Sequence, residues 1–478
     1  MNALQKDLTL LVSRIEAGDR ARVDADTRRL RFHLMPPTGW LNDPNGLCWY
    51  KGNYHVFYQY GPFDPNGGVK FWGHWTSPDL LHWTQQPAAL CPDQTWDIHG
   101  VYSGSALVEA DALYLYYTGN VKHPGENYDY VNSGRGHNVA LAISSDGIHM
   151  DDNRLLLENK DYPDGLSCHV RDPKVWKQDG RYYMVLGART VDSRGEVLVY
   201  ESEDRLHWTH CNTITTPETF GYMWECPDLF CVDGQMILSL SPQGIKREGN
   251  RYQNVYSCGY FPLYGDFRGE YTLGEYAESD VGFDYYAPQT FEAPDGRRIV
   301  IGWMGMPDAD YTNPTAQENG WQHCMSVPRE LHWDGERLRA VPVRELDDLH
   351  TNGRTLTFDG TAQCPLAQGA DIRIANRGAS LHVMIGDAAA IEYGSGLLTL
   401  TLSETSGSGR TQRVAEVKTL TDLRILADTS SLELFLNNGE QVMTTRYYPQ
   451  RADTVRFGGQ GDAEIFDMNA MEMTYLEK

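Results

Sequence analysis

One short phrase recurs along this chain and limits the folds open to it. Ser77-Pro78-Asp79-Leu80-Leu81-His82-Trp83 returns as Ser144-Ser145-Asp146-Gly147-Ile148-His149-Met150, and again as Ser202-Glu203-Asp204-Arg205-Leu206-His207-Trp208. The aligned aspartates lie 67 residues apart (79 to 146) and then 58 (146 to 204). A unit of about 60 residues built from short strands is the size of a four-stranded propeller blade with long loops. Short apolar or aromatic runs, such as residues 112–117, 181–186 and 235–240, alternate here with Gly, Asp, Asn and Pro, the residues of turns. Residues 31–345 therefore predict a five-bladed β-propeller, with the recurring phrase in the turn between the outer strands of a blade.

The flanks read differently. Residues 1–30 carry Leu4, Leu8, Leu11, Val12 and Ile15 at helical spacing, which predicts a short amphipathic N-terminal helix. Residues 346–352 are polar and read as a linker. Residues 353–478 alternate, as in Leu432-Glu433-Leu434-Phe435-Leu436 before Asn437-Asn438-Gly439, and predict a C-terminal β-sandwich domain. The expected fold class is all-β.

Composition narrows the partners. With 41 basic and 65 acidic residues, the formal net charge is −24. Such a field repels phosphate backbones and argues against nucleic acid, although a few local cations can still hold a small anion. The 28 Tyr and 12 Trp suit a sugar ligand. Nine scattered Cys without CxxC pairs argue for a reducing compartment, and Cys48 and Cys231, set in apolar runs, are expected in the core. No leader-like or membrane-length apolar run is present, so a cytoplasmic, non-membrane protein is expected.

Three carboxylates share one setting. Asp43 lies in Trp40-Leu41-Asn42-Asp43-Pro44-Asn45-Gly46, Asp172 in Arg171-Asp172-Pro173-Lys174, and Glu225 in Trp224-Glu225-Cys226-Pro227-Asp228. Each acid precedes a Pro by one or two residues and leads into an apolar strand. Their separations, 129 residues (43 to 172) and 53 (172 to 225), are about two repeat units and about one. Equivalent positions on different blades converge on the central channel. Clustered acids raise one another's pKa, and glycoside hydrolysis uses that, with one carboxyl protonated as acid and another ionised as nucleophile. Arg171 could keep Asp172 ionised, Asn42 and Asn45 could do so for Asp43, and Trp224 with Cys226 would give Glu225 an apolar neighbourhood. Glu225 then reads as acid/base, Asp43 as nucleophile and Asp172 as a bound anion.

These motifs resemble the signature motifs of glycoside hydrolase family 32, the invertase-type β-fructofuranosidases. The likeness continues through Phe57-Tyr58-Gln59, Trp72-Gly73-His74, Tyr102-Ser103-Gly104-Ser105-Ala106, Tyr286-Ala287-Pro288-Gln289-Thr290-Phe291, Gly302-Trp303-Met304 and Asp428-Thr429-Ser430-Ser431-Leu432-Glu433. It implies retaining hydrolysis of a terminal β-fructofuranosyl unit, with the same three roles for Asp43, Asp172 and Glu225. It also implies a sugar pocket lined by Asn42, Gln59, Trp72, Ser103, Arg171, Tyr286 and Trp303. Gly67-Gly68 stands where many relatives carry Trp-Gly, so the leaving-group side is expected to be open or differently lined. Within the family, Val69-Lys70-Phe71-Trp72, Thr118-Gly119-Asn120-Val121-Lys122 and His169-Val170-Arg171-Asp172 resemble bacterial sucrose-6-phosphate hydrolases. Lys70 and Lys122 become candidate phosphate ligands. The substrate expected is a small fructosyl sugar, with no metal and no cofactor. A plain invertase or exo-fructanase would use the same acids, and a non-catalytic sugar-binding propeller is the rival from another class.

Overall fold

The computed structural model describes residues 2–476. Asn2 caps an α-helix, Ala3–Asp24, by accepting from the Gln5 N–H, which satisfies one of the free donors of the first turn. Val12 and Val23 are buried beneath this helix, while Leu4 and Leu11, expected on its apolar face, stand exposed.

Five antiparallel meanders follow. Sheet I runs Gly39–Tyr50, Asn53–Gly61, Phe71–Ser77 and His82–Leu90. Sheet II runs Val101–Glu109, Ala112–Lys122, Arg135–Ser144 and Asp152–Leu157; sheet III runs Leu166–Gln178, Arg181–Thr190, Gly195–Ser202 and Thr209–Ile214. Sheet IV starts at Met223–Val232 and Gln235–Gln243, and sheet V at Tyr286–Glu292 and Arg298–Met304. The fold is a β-propeller joined to a sandwich-like nine-stranded sheet, whose strands span His350–Pro365 to Thr454–Met468 around their own apolar core.

The recurring phrase makes an Asx turn between third and fourth strands. Asp79 Oδ1 accepts from the N–H groups of Leu81 (3.0 Å) and His82 (2.9 Å), and its Oδ2 meets His82 Nδ1 at 2.7 Å. Asp146 and Asp204 repeat this with His149 and His207. In sheets IV and V the turn survives without Ser or His: Asp266 takes the N–H of Arg268, and Asp334 those of Glu336 and Arg337.

In each sheet the first strand slips register against the second. The slips fall between Leu41 and Pro44, Tyr102 and Gly104, Arg171 and Lys174, Glu225 and Asp228, and Tyr286 and Gln289. An extra residue there bends the strand and re-aims its side chains. Asp172, Cys226 and Ala287 take positive φ (64°, 48° and 48°) at these slips, a strained choice for residues with a Cβ.

Two segments depart from the expected domain limits. Arg344–Leu349 forms a 3₁₀ turn, and the strand from His350 begins inside the expected linker. Glu472–Thr474, expected in the sandwich, pairs in parallel with His82–Thr84 of sheet I. Trp321–Gln322 pairs in parallel with Gly39–Trp40, so a segment that follows the second strand of sheet V is bonded to sheet I. Cys48 is buried as expected, but Cys231 is exposed, because it faces outward on a strand whose alternate residues Phe230 and Val232 fill the core.

Candidate active site

The first strands are stitched to one another across the sheets, and the stitches position the acids. The Gly104 N–H donates to Asn45 Oδ1 (3.2 Å), and Ser105 Oγ donates to Pro173 O (2.8 Å). Lys174 Nζ lies 3.0 Å from Asp228 Oδ2, which also accepts from the Thr290 N–H at 2.7 Å. The first strands of successive sheets are thereby neighbours, each carrying its register slip near these bonds.

The slips turn Asp43, Asp172 and Glu225 into one cluster. Asp43 Oδ1 accepts from Asn42 Nδ2 (3.0 Å), and Oδ2 from Ser103 Oγ (2.5 Å) and Gln59 Nε2 (3.2 Å). Gln59 also donates to Ser103 Oγ. Asp172 Oδ2 accepts from the Cys226 N–H (2.9 Å), and Cys226 Sγ lies 3.9 Å from Asp43 Oδ2. Glu225 Oε1 accepts from Arg171 Nη2 (2.5 Å) and Nε (3.2 Å); its Oε2 accepts from Gln243 Nε2 (2.7 Å) and Tyr286 Oη (2.6 Å). One residue, Cys226, therefore touches two of the acids and is bonded in sequence to the third.

The electrostatics differ from the expectation in three ways. Burial pushes Asp43 above its ordinary value, against Ser103 and Asn42, and the charge of Glu225 adds to the rise. Asn45 gives no help, because its amide oxygen is spent on Gly104. Burial likewise drives Asp172 up to about 7, although Arg171 pulls it down. Arg171 forks onto Glu225 and stands 3.8 Å from Asp172. The apolar neighbourhood expected for Glu225 is absent: the Trp224 indole points the other way, donates to Phe220 O and packs in the outer core, as alternation along a strand requires.

Of the expected sugar-pocket residues, Asn42, Gln59, Ser103, Arg171 and Tyr286 touch an acid directly. Trp303 forms an aromatic wall with Trp40 (5.9 Å between centroids) and His323 (5.0 Å), and its Nε1 has no partner. Trp72 is fully buried, donates to Tyr102 O at 3.1 Å and packs with Phe57 below the site. It is a floor beam rather than a surface of the pocket.

Lys70 and Lys122 separate. The Lys70 ammonium lies 4.6 Å over the Trp40 ring, and burial lowers it to about 8 against the pull of Asp43 and Asp64. It stands 3.7 Å from where a Cβ at Gly67 would project, so an ammonium borders the Gly67-Gly68 turn. Lys122 is exposed, and its backbone N–H donates to His99 Nδ1. Gln243, a partner of Glu225, escaped the sequence reading. Its one signal is position: like Gln59, it sits on the second strand of its sheet and donates to the acid on the first.

Among the described residues, Asp347, His350 and Asp371 are spaced closely enough to hold a cation. Arg373 and Arg424 already occupy their oxygens (2.5 Å to Asp347 and 2.7 Å to Asp371), so the donor set is neutralised and fits no metal. No helix of the described residues is long and apolar enough to cross a membrane.

Comparison with known proteins identifies the family. Residues 33–342 match the model of the glycosyl hydrolases family 32 N-terminal domain, and residues 392–472 that of the family 32 C-terminal domain. The chain is 38% identical over 441 residues to the sucrose-6-phosphate hydrolase of Bacillus subtilis, covering 89% of this chain and 90% of that protein. It is 39% identical to that of Salmonella typhimurium, covering 92% of each. The structure superposes on sucrose-6-phosphate hydrolase from Lactobacillus gasseri with a TM-score of 0.87 at 29% identity, covering 96% of this chain and 97% of that one. A Bombyx mori β-fructofuranosidase mutant solved with sucrose gives 0.85 at 30% identity and full coverage of both.

Proposed function

The chain belongs to glycosyl hydrolase family 32 and is a glycoside hydrolase, and from that premise we propose that it hydrolyses sucrose 6-phosphate, and sucrose more slowly, with retention. Asp43 attacks the fructosyl anomeric carbon as the bond to the glucosyl oxygen breaks, and Glu225 delivers its proton to that oxygen. Water then attacks the same carbon, gives its proton to Glu225 and frees Asp43 as a carboxylate. The products are fructose and glucose 6-phosphate. Asp43 and Glu225 should lie about 5–5.5 Å apart, the separation of retaining enzymes.

Asp172 acts without bonding to sugar. Its buried charge is only partly compensated by Arg171 at 3.8 Å and the Cys226 N–H, so positive charge developing on the fructosyl ring is attracted strongly there. Asn42, Gln59, Ser103 and Trp303 shape the fructosyl pocket in this reading, and Trp72 supports it from below. The five meanders are read as five blades around the channel, with an N-terminal helical segment before them and a sandwich domain from about 353. A phosphorylated disaccharide implies work in the cytoplasm, where phosphorylating uptake delivers such esters.

The observation that carries the reading is the single hydrogen-bonded cluster of three acids, Asp172 buried and Asp43 and Glu225 half-buried, with Arg171 and Tyr286 both on Glu225. Its test is kcat/KM on sucrose 6-phosphate, sucrose and a short fructan. A charge-assisted hold on the phosphate should favour the ester by about 10- to 100-fold. Equal values for the ester and sucrose would overturn the phosphate assignment, and preference for the fructan would make the protein an exo-fructanase.

A further inference from the structure

Two half-buried arginines flank the Glu225 side of the site without an acid of their own. Arg135 begins the third strand of sheet II, opposite Lys122, and its Nη1 approaches His137 Nε2 at 3.4 Å. His137 packs edge-on against His169 at 5.3 Å, and His169 Nδ1 accepts from Arg171 Nη1 at 2.7 Å. Arg189, near the end of the second strand of sheet III, lies 4.7 Å over the Tyr222 ring, next to the strand that carries Glu225. A chain of contacts thus leads from Arg135 to the Arg171–Glu225 pair, and Arg189, on the strand beside Arg171, has its charge felt at His169.

Among the described residues, neither Arg135 nor Arg189 has a carboxylate within ion-pair distance, and the buried Nε of each has no partner. Arg171, Arg329 and Arg410, by contrast, each hold an acid, and Arg189 has only the Ser193 hydroxyl (2.9 Å) for its Nη2. The charges are felt locally: burial and then Arg171, Arg135 and Arg189 drive His169 down to about 3. His169 is therefore a neutral acceptor for Arg171, with its Nε2 held by Tyr130 O (3.1 Å). Unpaired guanidiniums at this density repel one another until an anion arrives. The lysines are poorer candidates, since Lys70 already answers to Asp43 and Asp64, and Lys122 is exposed to solvent.

We propose that Arg135 and Arg189 form the anion clamp for the leaving group, holding the 6-phosphate of the hexose whose oxygen Glu225 protonates. This rests on the reading of the substrate as a sugar phosphate and adds which residues recognise it. The leaving oxygen must meet Glu225, so a phosphate a few bonds farther out falls on the flanks that these two side chains occupy. Forked N–H donors from two sheets suit a dianion better than a single ammonium. His169 is a positioning residue that fixes Arg171 between the clamp and the acid.

The experiment compares Arg135→Gln, Arg189→Gln and the double variant with the parent enzyme, taking the ratio of kcat/KM on sucrose 6-phosphate to that on sucrose. Inhibition of sucrose hydrolysis by glucose 6-phosphate and by glucose is measured alongside. The double variant should lose at least about 10-fold of the ratio, chiefly through KM, and glucose 6-phosphate should lose its advantage over glucose as an inhibitor. Arg135→Lys should keep part of both. Sucrose hydrolysis in the same samples reports that the protein is folded, and if it is lost, the glucose 6-phosphate advantage is read by direct binding. A parent that prefers the ester while the double variant keeps the full ratio overturns the clamp. A parent with no preference overturns the substrate reading instead.

Discussion

Two groups of buried carboxylates in this protein have opposite electrostatics. In the funnel, Asp43 and Asp172 are pushed up by burial, although Arg171 stands near Asp172 and Lys70 feels the charge of Asp43. Where the propeller meets the sandwich, Asp428 and Glu433 are buried but held below their ordinary values, while burial still pushes Asp280 beside them up to about 6. There His33 bridges them (2.8 Å to Asp428, 2.9 Å to Glu433), Arg329 joins Glu433 (2.6 Å) to Asp280 (3.2 Å), and Arg410 forks onto Asp284. Burial alone therefore does not make an acid reactive. The interface supplies a cation for almost every charge, whereas the funnel leaves charge only partly compensated, as the role proposed for Asp172 requires.

The largest expected effect separates rate from cohesion. Glu225→Gln should lower kcat on sucrose by about 10²- to 10⁴-fold, the usual share of a general acid. It should slow fructosyl fluoride far less, because fluoride leaves without a proton. Equal losses on both substrates would remove Glu225 from the acid role.

Next, Arg329→Met should strand Glu433 and Asp280 without their cation and cost about 3–5 kcal/mol of stability in denaturant titrations. A change below about 1 kcal/mol would mean that the interface does not rely on paired charge.

The smallest effect is the most direct test of the contrast. A carboxylate raised in the folded state costs stability above its folded value and nothing below its unfolded one. Asp172→Asn should therefore be more stable than the parent at pH 8, by about 1–3 kcal/mol, with the gain fading as pH falls from about 7 towards 4. Asp428 is lowered, so it stabilises above the ordinary carboxylate range and loses that contribution in acid; Asp428→Asn should be less stable at pH 8. His33 is raised, and its contribution, full below about 6.5, is lost as pH rises through its folded value. Two Asp→Asn changes of the same sign would dissolve the distinction drawn above.

Much of the funnel was legible because its chemistry is local. Asp43, Asp172 and Glu225 each sit beside a Pro at a strand slip, and their spacing follows the repeat. What surrounds them was less legible. Gln243 reaches Glu225 from a neighbouring strand, and His169 reaches Arg171 from two residues upstream; strand pairing is not written in any one segment. The turns at Asp266 and Asp334 kept the aspartate and lost the histidine, so the repeat looked three units long. Trp224 sits next to Glu225 in sequence and on the opposite face in space, which is why adjacency misled about its role. Glu472–Thr474 is too short to show alternation, and its partner is at the other end of the chain.

That short strand has a consequence for how the protein is made. Sheet I carries Asp43, yet its outer edge at His82–Thr84 is closed by Glu472–Thr474, and its inner edge at Gly39–Trp40 by Trp321–Gln322. A ribosome releases the segment bearing Asp43 well before the two segments that hem it. The nascent first sheet must wait with both borders open, and its edges close only after residue 474 has emerged.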